Sequence, residues 1–159
     1  MSEAINLMPG EYYFGNGVAS LKTLLGSCVA VILWHPQQKV GGMCHIVLPD
    51  GEFTGDDCNP RYAECAIGKF VHDIKTNGMH PSEFRVGVYG GGRMFSHKTG
   101  IREDDVGARN IACAYKLVID AGFCITDQDV LENKYRHVFL DLKSGETTVK
   151  SIEVEKTMD

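Results

Sequence analysis

A cysteine and a histidine flanking one turn carry the most direct chemical possibility in this chain. Cys28 follows Gly26-Ser27 and leads into the apolar run VAVILW, and His45 lies in a second apolar stretch beyond His35-Pro36-Gln37-Gln38-Lys39. Both runs read as strands, and the proline with its polar neighbours reads as the turn between them, so the whole is a hairpin. With the turn centred between Pro36 and Gln37, Cys28 falls directly opposite His45. Opposed residues share a face of the sheet with Cβ atoms about 4.5–5.5 Å apart, within reach of a thiol and an imidazole. A slip of one residue would turn His45 to the other face. An adjacent imidazolium lowers a thiol from its usual pKa near 8.5 to roughly 3.5–7.5 and makes the reactive thiolate. Gly26 permits a tight approach, and the N–H groups around Ser27 and Cys28 could point at a developing oxyanion. The plain alternative is that Cys28 is a small buried residue and His45 a satisfied strand histidine, which is the commoner fate of such residues.

The elements that must position this pair follow from periodicity. Residues 11–14 (EYYF) and 18–24 (VASLKTL) read as early strands around Gly15-Asn16-Gly17, and residues 29–34 and 40–48 form the hairpin. Residues 50–60 are polar and read as an exposed loop. Asn59 then caps a helix with Pro60 at its first position. Tyr62, Ala66, Ile67, Phe70, Val71 and Ile74 fall on one face of that helix, and Asn77-Gly78 ends it. Residues 84–89 read as a strand running into Gly90-Gly91-Gly92. A second helix spans about residues 106–121, with Ile111, Tyr115, Val118 and Ile119 on its buried side. Short strands near 123–126, 137–142 and 147–154 complete the chain. The expected fold is α+β: a mixed β-sheet sandwich with two principal helices packed on it.

Composition narrows the function classes. At 159 residues, with 43% hydrophobic and 23% charged residues, the chain fits one domain spanning 1–159 and neither a disordered nor a fibrous class. A net charge of −5 without a Lys/Arg cluster disfavours nucleic acid. No apolar run is long enough to insert in a membrane, and the acidic start lacks a leader pattern, so the expected location is cytoplasmic. The six cysteines (28, 44, 58, 65, 113 and 124) form no C-x-x-C pair, so free thiols are expected and zinc is not. Cys44 and His45 are adjacent and point to opposite faces of a strand, which argues against one shared ion. Histidines 35, 72, 80, 97 and 137 read as turn, surface or helix-face residues. The three glycines at 90–92 lack the rest of a phosphate-binding loop and instead suit a close backbone approach or a tight turn. Arg109 and Asn110 open the second helix, where they could contact a partner or the active-site loop, or form a solvated first turn. Nothing marks a self-complementary surface, so a monomer is expected.

The string TLLGSCVAVILWHPQQKVGGMCHIVLP at 23–49, with GGGRMF at 90–95 and VGARN at 106–110, resembles the chemoreceptor glutamine deamidases, the CheD family of bacterial chemotaxis. The resemblance implies a cofactor-independent cysteine hydrolase with a fold similar to the catalytic domain of the cytotoxic necrotizing factor toxins. It implies that Cys28 is the nucleophile, His45 its base and Thr23 the threonine that orients the histidine, with the backbone at Gly26 and Ser27 supporting the oxyanion. It further implies methyl-accepting chemotaxis receptors as protein substrate and a CheC-type phosphatase as a candidate partner. A regulatory protein that docks without catalysis is the alternative on the same fold. One stretch departs from the family pattern: Asp129 to Arg136 has no Gly-Gly pair ahead of its arginine, which bears on the rim of the site and on substrate choice.

Overall fold

A computed structural model describes residues 3–49, 58–94 and 105–154. Nine strands and two helices follow in the order β1 (Ala4–Asn6), β2 (Tyr12–Gly15), β3 (Ser20–Leu25), β4 (Val29–His35), β5 (Val40–Ile46), α1 (Ala63–Thr76), β6 (Arg85–Gly90), α2 (Val106–Asp120), β7 (Cys124–Val130), β8 (Lys134–Asp141) and β9 (Thr147–Glu153). They build two mixed sheets, ordered β1-β3-β8-β9 and β2-β5-β4-β6-β7. The loop expected at 50–60 falls mostly outside the described residues, as do Phe95 and His97.

Strand β4 explains the layering. All seven of its residues are buried, as its unbroken apolar run requires of a central strand covered on both faces. Val29, Val31 and Leu33 face the helices together with Ile67, Phe70, Ile111 and Val118. Ala30, Ile32 and Trp34 face the second sheet, against Leu21, Leu25, Val138 and Leu140. The helices therefore cover one face of the five-stranded sheet and the four-stranded sheet covers the other. Strand β3 has the opposite signature: Leu21, Thr23 and Leu25 point inward while Lys22 and Leu24 are exposed.

Several local expectations are corrected. The β4–β5 turn centres one residue later than expected, between Gln37 and Gln38, because His35 pairs with Val40 and places Ala30, not Cys28, opposite His45. The buried His35 ring causes this: its Nδ1 accepts from the N–H groups of Gln37 and Gln38 at 3.2 and 3.0 Å and organises a four-residue loop. Helix α1 starts at Ala63, not at an Asn59 cap. Residues 61–63 are drawn alongside the end of β5, where the Arg61 carbonyl accepts from Val47 N–H at 2.7 Å and Ala63 N–H donates to Leu48 at 3.1 Å. Tyr62 is held extended by this pairing, with ψ 139°. On α2 the buried line runs through Gly107, Ile111, Ala114 and Val118, and Ile119, one residue and about 100° further round, is 60% exposed. Nor are all six cysteines free: Cys58 and Cys65 form a disulfide, with Cα atoms 5.6 Å apart. The turn from 58 into the first helical turn folds the chain back on itself and brings these two together. Cys28, Cys44 and Cys124 keep free thiols.

The stretch without glycines also has a structural consequence. Leu131 and Glu132, in the turn from β7 to β8, have φ values of +67° and +63°, a region where L-residues other than Asn and Asp are strained. The turn is held by backbone bonds, Leu131 N–H to Gly90 O at 2.8 Å and Arg93 N–H to Glu132 O at 2.9 Å. The wholly buried Arg136 guanidinium donates to Leu131 O at 2.7 Å and to Asp129 Oδ1 at 2.9 Å. Glycine keeps every one of these bonds. Leu131→Gly therefore raises stability by about 1 kcal/mol, the relief of strain exceeding the added chain entropy. A higher urea midpoint with unchanged slope checks this; a lower midpoint contradicts it.

Candidate active site

Gly26, Ser27 and Cys28 form the turn that carries the chain from one sheet to the other, and each of their carbonyls is held. Gly92 N–H donates to Gly26 O at 2.9 Å and Gly91 N–H to Cys28 O at 2.8 Å. Asn110 Nδ2 donates to Ser27 O at 3.1 Å. The glycine loop and the N-terminus of α2 can meet here because neither carries a side chain at the contact. A Cβ on Gly91 would lie 2.2 Å from Ile111 Cγ1, and one on Gly107 would lie 2.4 Å from the Gly91 carbonyl oxygen. Asp105 caps α2 by accepting from Ala108 N–H at 3.1 Å. Among the described residues, the Ser27 and Cys28 N–H groups donate to no protein acceptor.

His45 is buried on the inner face of β5, beside Met43 in sequence alternation, while Cys44 and Ile46 face the helices. Cys28 is half-buried and packs against the same inner layer. With Ala30 opposite His45, Cys28 lies two residues along on the same face, a diagonal relation that an imidazole can span. The expected face is retained because the partner of His45 moves by two residues, from Cys28 to Ala30, and a shift of two keeps the side-chain alternation.

Thr23 projects from β3 into this layer with its Oγ1 2.7 Å from His45 Nδ1. The same hydroxyl donates to the Leu7 carbonyl at 2.6 Å. A hydroxyl has one proton, and with that proton on Leu7 the oxygen can only accept from the ring. His45 Nδ1 is therefore the protonated nitrogen, and Nε2 keeps the lone pair a base needs. The His45 backbone is held as well, its N–H on Glu11 O at 3.1 Å and its carbonyl on Gly10 N–H at 2.9 Å.

Electrostatics modify the resting state expected from the sequence. Burial pushes the Cys28 thiol up. Burial also pushes His45 down, outweighing the Leu7 carbonyl and the Glu11 carboxylate, which favour its charged form. Burial thus favours the neutral form of each group, the thiol of Cys28 and the imidazole of His45, over thiolate and imidazolium. Cys44, wholly buried, is pushed up to about 12 and is inert.

Of the residues singled out in the sequence, Thr23 thus meets His45, and Gly26, Ser27 and Cys28 meet Gly91, Gly92 and Asn110. Cys28 and His45 lie toward the same inner layer, and no hydrogen bond joins them among the described residues. Arg109 is exposed on the first turn of α2, while its neighbour Asn110 is fully buried. Leu7 and Glu11 were not legible as site residues, because they contribute backbone carbonyls and a long-range charge that no motif records.

The family model for CheD chemotactic sensory transduction matches residues 47–151. A probable chemoreceptor glutamine deamidase CheD 1 of Chromobacterium violaceum is 36% identical over 149 residues, 93% of this chain and 77% of that protein. A probable chemoreceptor glutamine deamidase CheD of Pseudomonas fluorescens is 36% identical over 146 residues, covering 91% and 82%. One from Leptospira interrogans is 32% identical over 154 residues, covering 91% and 90%. With a family model matched over residues 47–151 and relatives of 32–36% identity aligned along nearly the whole chain, the protein belongs to the CheD family.

Proposed function

We propose that the protein hydrolyses glutamine side chains of chemotaxis receptors to glutamate, releasing ammonia through a thioester on Cys28. The observation that carries this reading is the 2.7 Å contact between Thr23 and His45, which leaves the bare nitrogen of a buried imidazole in the layer that Cys28 shares. Kinship of the fold with the catalytic domain of the cytotoxic necrotizing factor toxins belongs to the same proposal.

The steps follow from the groups present. His45 Nε2 takes the thiol proton as Cys28 Sγ attacks the side-chain amide carbon of the substrate glutamine. The carbonyl oxygen becomes an oxyanion, met by the N–H groups of Ser27 and Cys28, which have no acceptor among the described residues. The His45 imidazolium, with Thr23 and Leu7 on its other side, returns that proton to the departing amine, and ammonia leaves. Water then loses a proton to His45 and attacks the thioester, and the proton ends on the sulfur as glutamate departs. Each turnover places a carboxylate where a neutral amide stood. On a packed helical receptor this changes the repulsion between neighbouring helices and creates a site for reversible methylation.

Incubation of the purified protein with receptor signalling fragments, followed by peptide mass spectrometry, tests the reading: modified glutamines gain about 1 Da per turnover. Stable binding of receptor or of a CheC-type phosphatase without that gain supports a docking protein instead, and a larger gain dependent on added amine supports transamidation. Thr23→Val keeps the shape and removes the acceptor from Nδ1, so kcat falls about ten- to a hundredfold with little change in KM, and Thr23→Ser restores most of it. Equal kcat in Thr23→Val and wild type would show that the hydroxyl has no part in orienting the base.

A further inference from the structure

We propose that Asn110 is a positioning residue: its side-chain amide sets the peptide that receives the oxyanion and ties the nucleophile turn to the strand carrying the base. The inference rests on the glutaminase reading above.

The β4–β5 ladder ends at the Val29–Ile46 pair. One step further, the strands part, because Val47 N–H is taken by Arg61 O at 2.7 Å. Asn110 reaches into that opening from α2 and replaces the missing ladder. Its Nδ2 donates to Ser27 O at 3.1 Å and to Val47 O at 2.9 Å, which uses both amide hydrogens. One nitrogen thus fastens the residue before Cys28 to the residue two beyond His45.

The direction of the Ser27 carbonyl matters more than the bond itself. In a trans peptide the C=O and the following N–H point in opposite directions. With Ser27 O fixed on Asn110, the Cys28 N–H must point away from α2, and no protein acceptor among the described residues meets it there. Gly92 N–H acts in the same way one peptide earlier, fixing Gly26 O and so the direction of the Ser27 N–H. Two adjacent donors, unmet among the described residues, are thus oriented before any substrate arrives, which is the arrangement that stabilises charge without reorganisation.

Packing alone does not account for an asparagine here. Asn110 is fully buried, its neighbours on the helix face are Gly107, Ile111 and Ala114, and its Oδ1 has no partner among the described residues. A bare buried carbonyl is unfavourable, and an apolar side chain of similar size would avoid it. The residue serves as a double donor. Access for that donor depends on the Gly91–Gly107 contact, which brings α2 within reach of the turn.

The test compares wild type with Asn110→Ala and Asn110→Ser. Three quantities are read: kcat and KM for deamidation of a receptor fragment, the rate and extent of Cys28 alkylation by iodoacetamide, and the affinity of a peptide bearing glutamine side-chain aldehyde. Alkylation is a displacement that needs the sulfur and no oxyanion site, so its extent counts folded, competent protein. The aldehyde forms a tetrahedral adduct: the thiol sulfur bonds to the carbonyl carbon, the C=O π bond opens, and the thiol proton ends on the oxygen. The expected result for Asn110→Ala is kcat lower by about a hundredfold per alkylatable Cys28, aldehyde affinity weakened by a similar factor, and KM and alkylation rate within about threefold of wild type. Asn110→Ser, with one donor left, falls between. If kcat and aldehyde affinity fall no further than the count of alkylatable Cys28, the role is structural and the proposal is overturned. It is overturned equally if neither variant yields alkylatable Cys28. A wild-type protein that is alkylated at Cys28 yet deamidates no receptor fragment removes the glutaminase reading instead, while the aldehyde comparison still decides the role of Asn110.

Discussion

Cys28→Ala protein leaves receptor fragments unmodified, a loss of about 10⁴-fold or more relative to wild type, while its fold and its binding to the fragments persist. The size of the effect follows from the mechanism: without sulfur no thioester forms, and the remaining groups can only polarise an amide that water attacks very slowly. The site tolerates the change structurally, because Cys28 is half-buried at the edge of the inner layer and alanine removes a single heavy atom. Cys124→Ala, at an exposed position on β7, serves as control and retains full activity. Deamidation by Cys28→Ala within tenfold of wild type would falsify the assignment of the nucleophile and leave docking as the better account of the chain.

The second large effect concerns the proton. His45→Ala lowers kcat by about 10³-fold, within the range general-base removal produces. The pH dependence of the wild type then distinguishes two resting states. Burial disfavours the charged imidazole, so the folded His45 stays neutral to a lower pH than an ordinary histidine, and the acid limb of kcat/KM falls below about 6.5. Burial equally disfavours the thiolate, so Cys28 remains protonated at neutral pH and its alkylation rate keeps climbing past the usual cysteine value of about 8.5. An ion pair would behave differently, with alkylation already at a plateau near neutrality. A neutral plateau in the alkylation profile therefore sinks the thiol–imidazole description while leaving the residues in place.

How much of this was legible beforehand differs by element. The apolar run of β4 and the alternation of β3 are one-dimensional patterns, and a central strand and a half-solvated strand are their direct physical readings. The two helices were legible in their apolar periodicity, but the start of α1 was not. Asn59 has the chemistry of a cap, yet residues 61–63 are recruited by the end of β5, and that competition exists only once the chain has folded. The hairpin register was out of reach for a related reason: the loop is organised by a buried His35 ring, whose burial depends on Phe84 and the contact with Glu83. The Cys58–Cys65 disulfide had no signature in spacing and required the turn between them.

Taken alone, the order of residues determined which groups could react and on which faces of which strands they would lie, because side-chain chemistry and strand alternation are local properties. The tertiary structure alone decided how those groups are tuned. The Leu7 carbonyl that sets the His45 tautomer acts through Thr23, 16 residues away from it in sequence, and the Asn110 amide reaches Ser27 across 83. Such contacts are made by backbone carbonyls, which every residue carries alike, so their partners become definite only when packing brings particular peptides together.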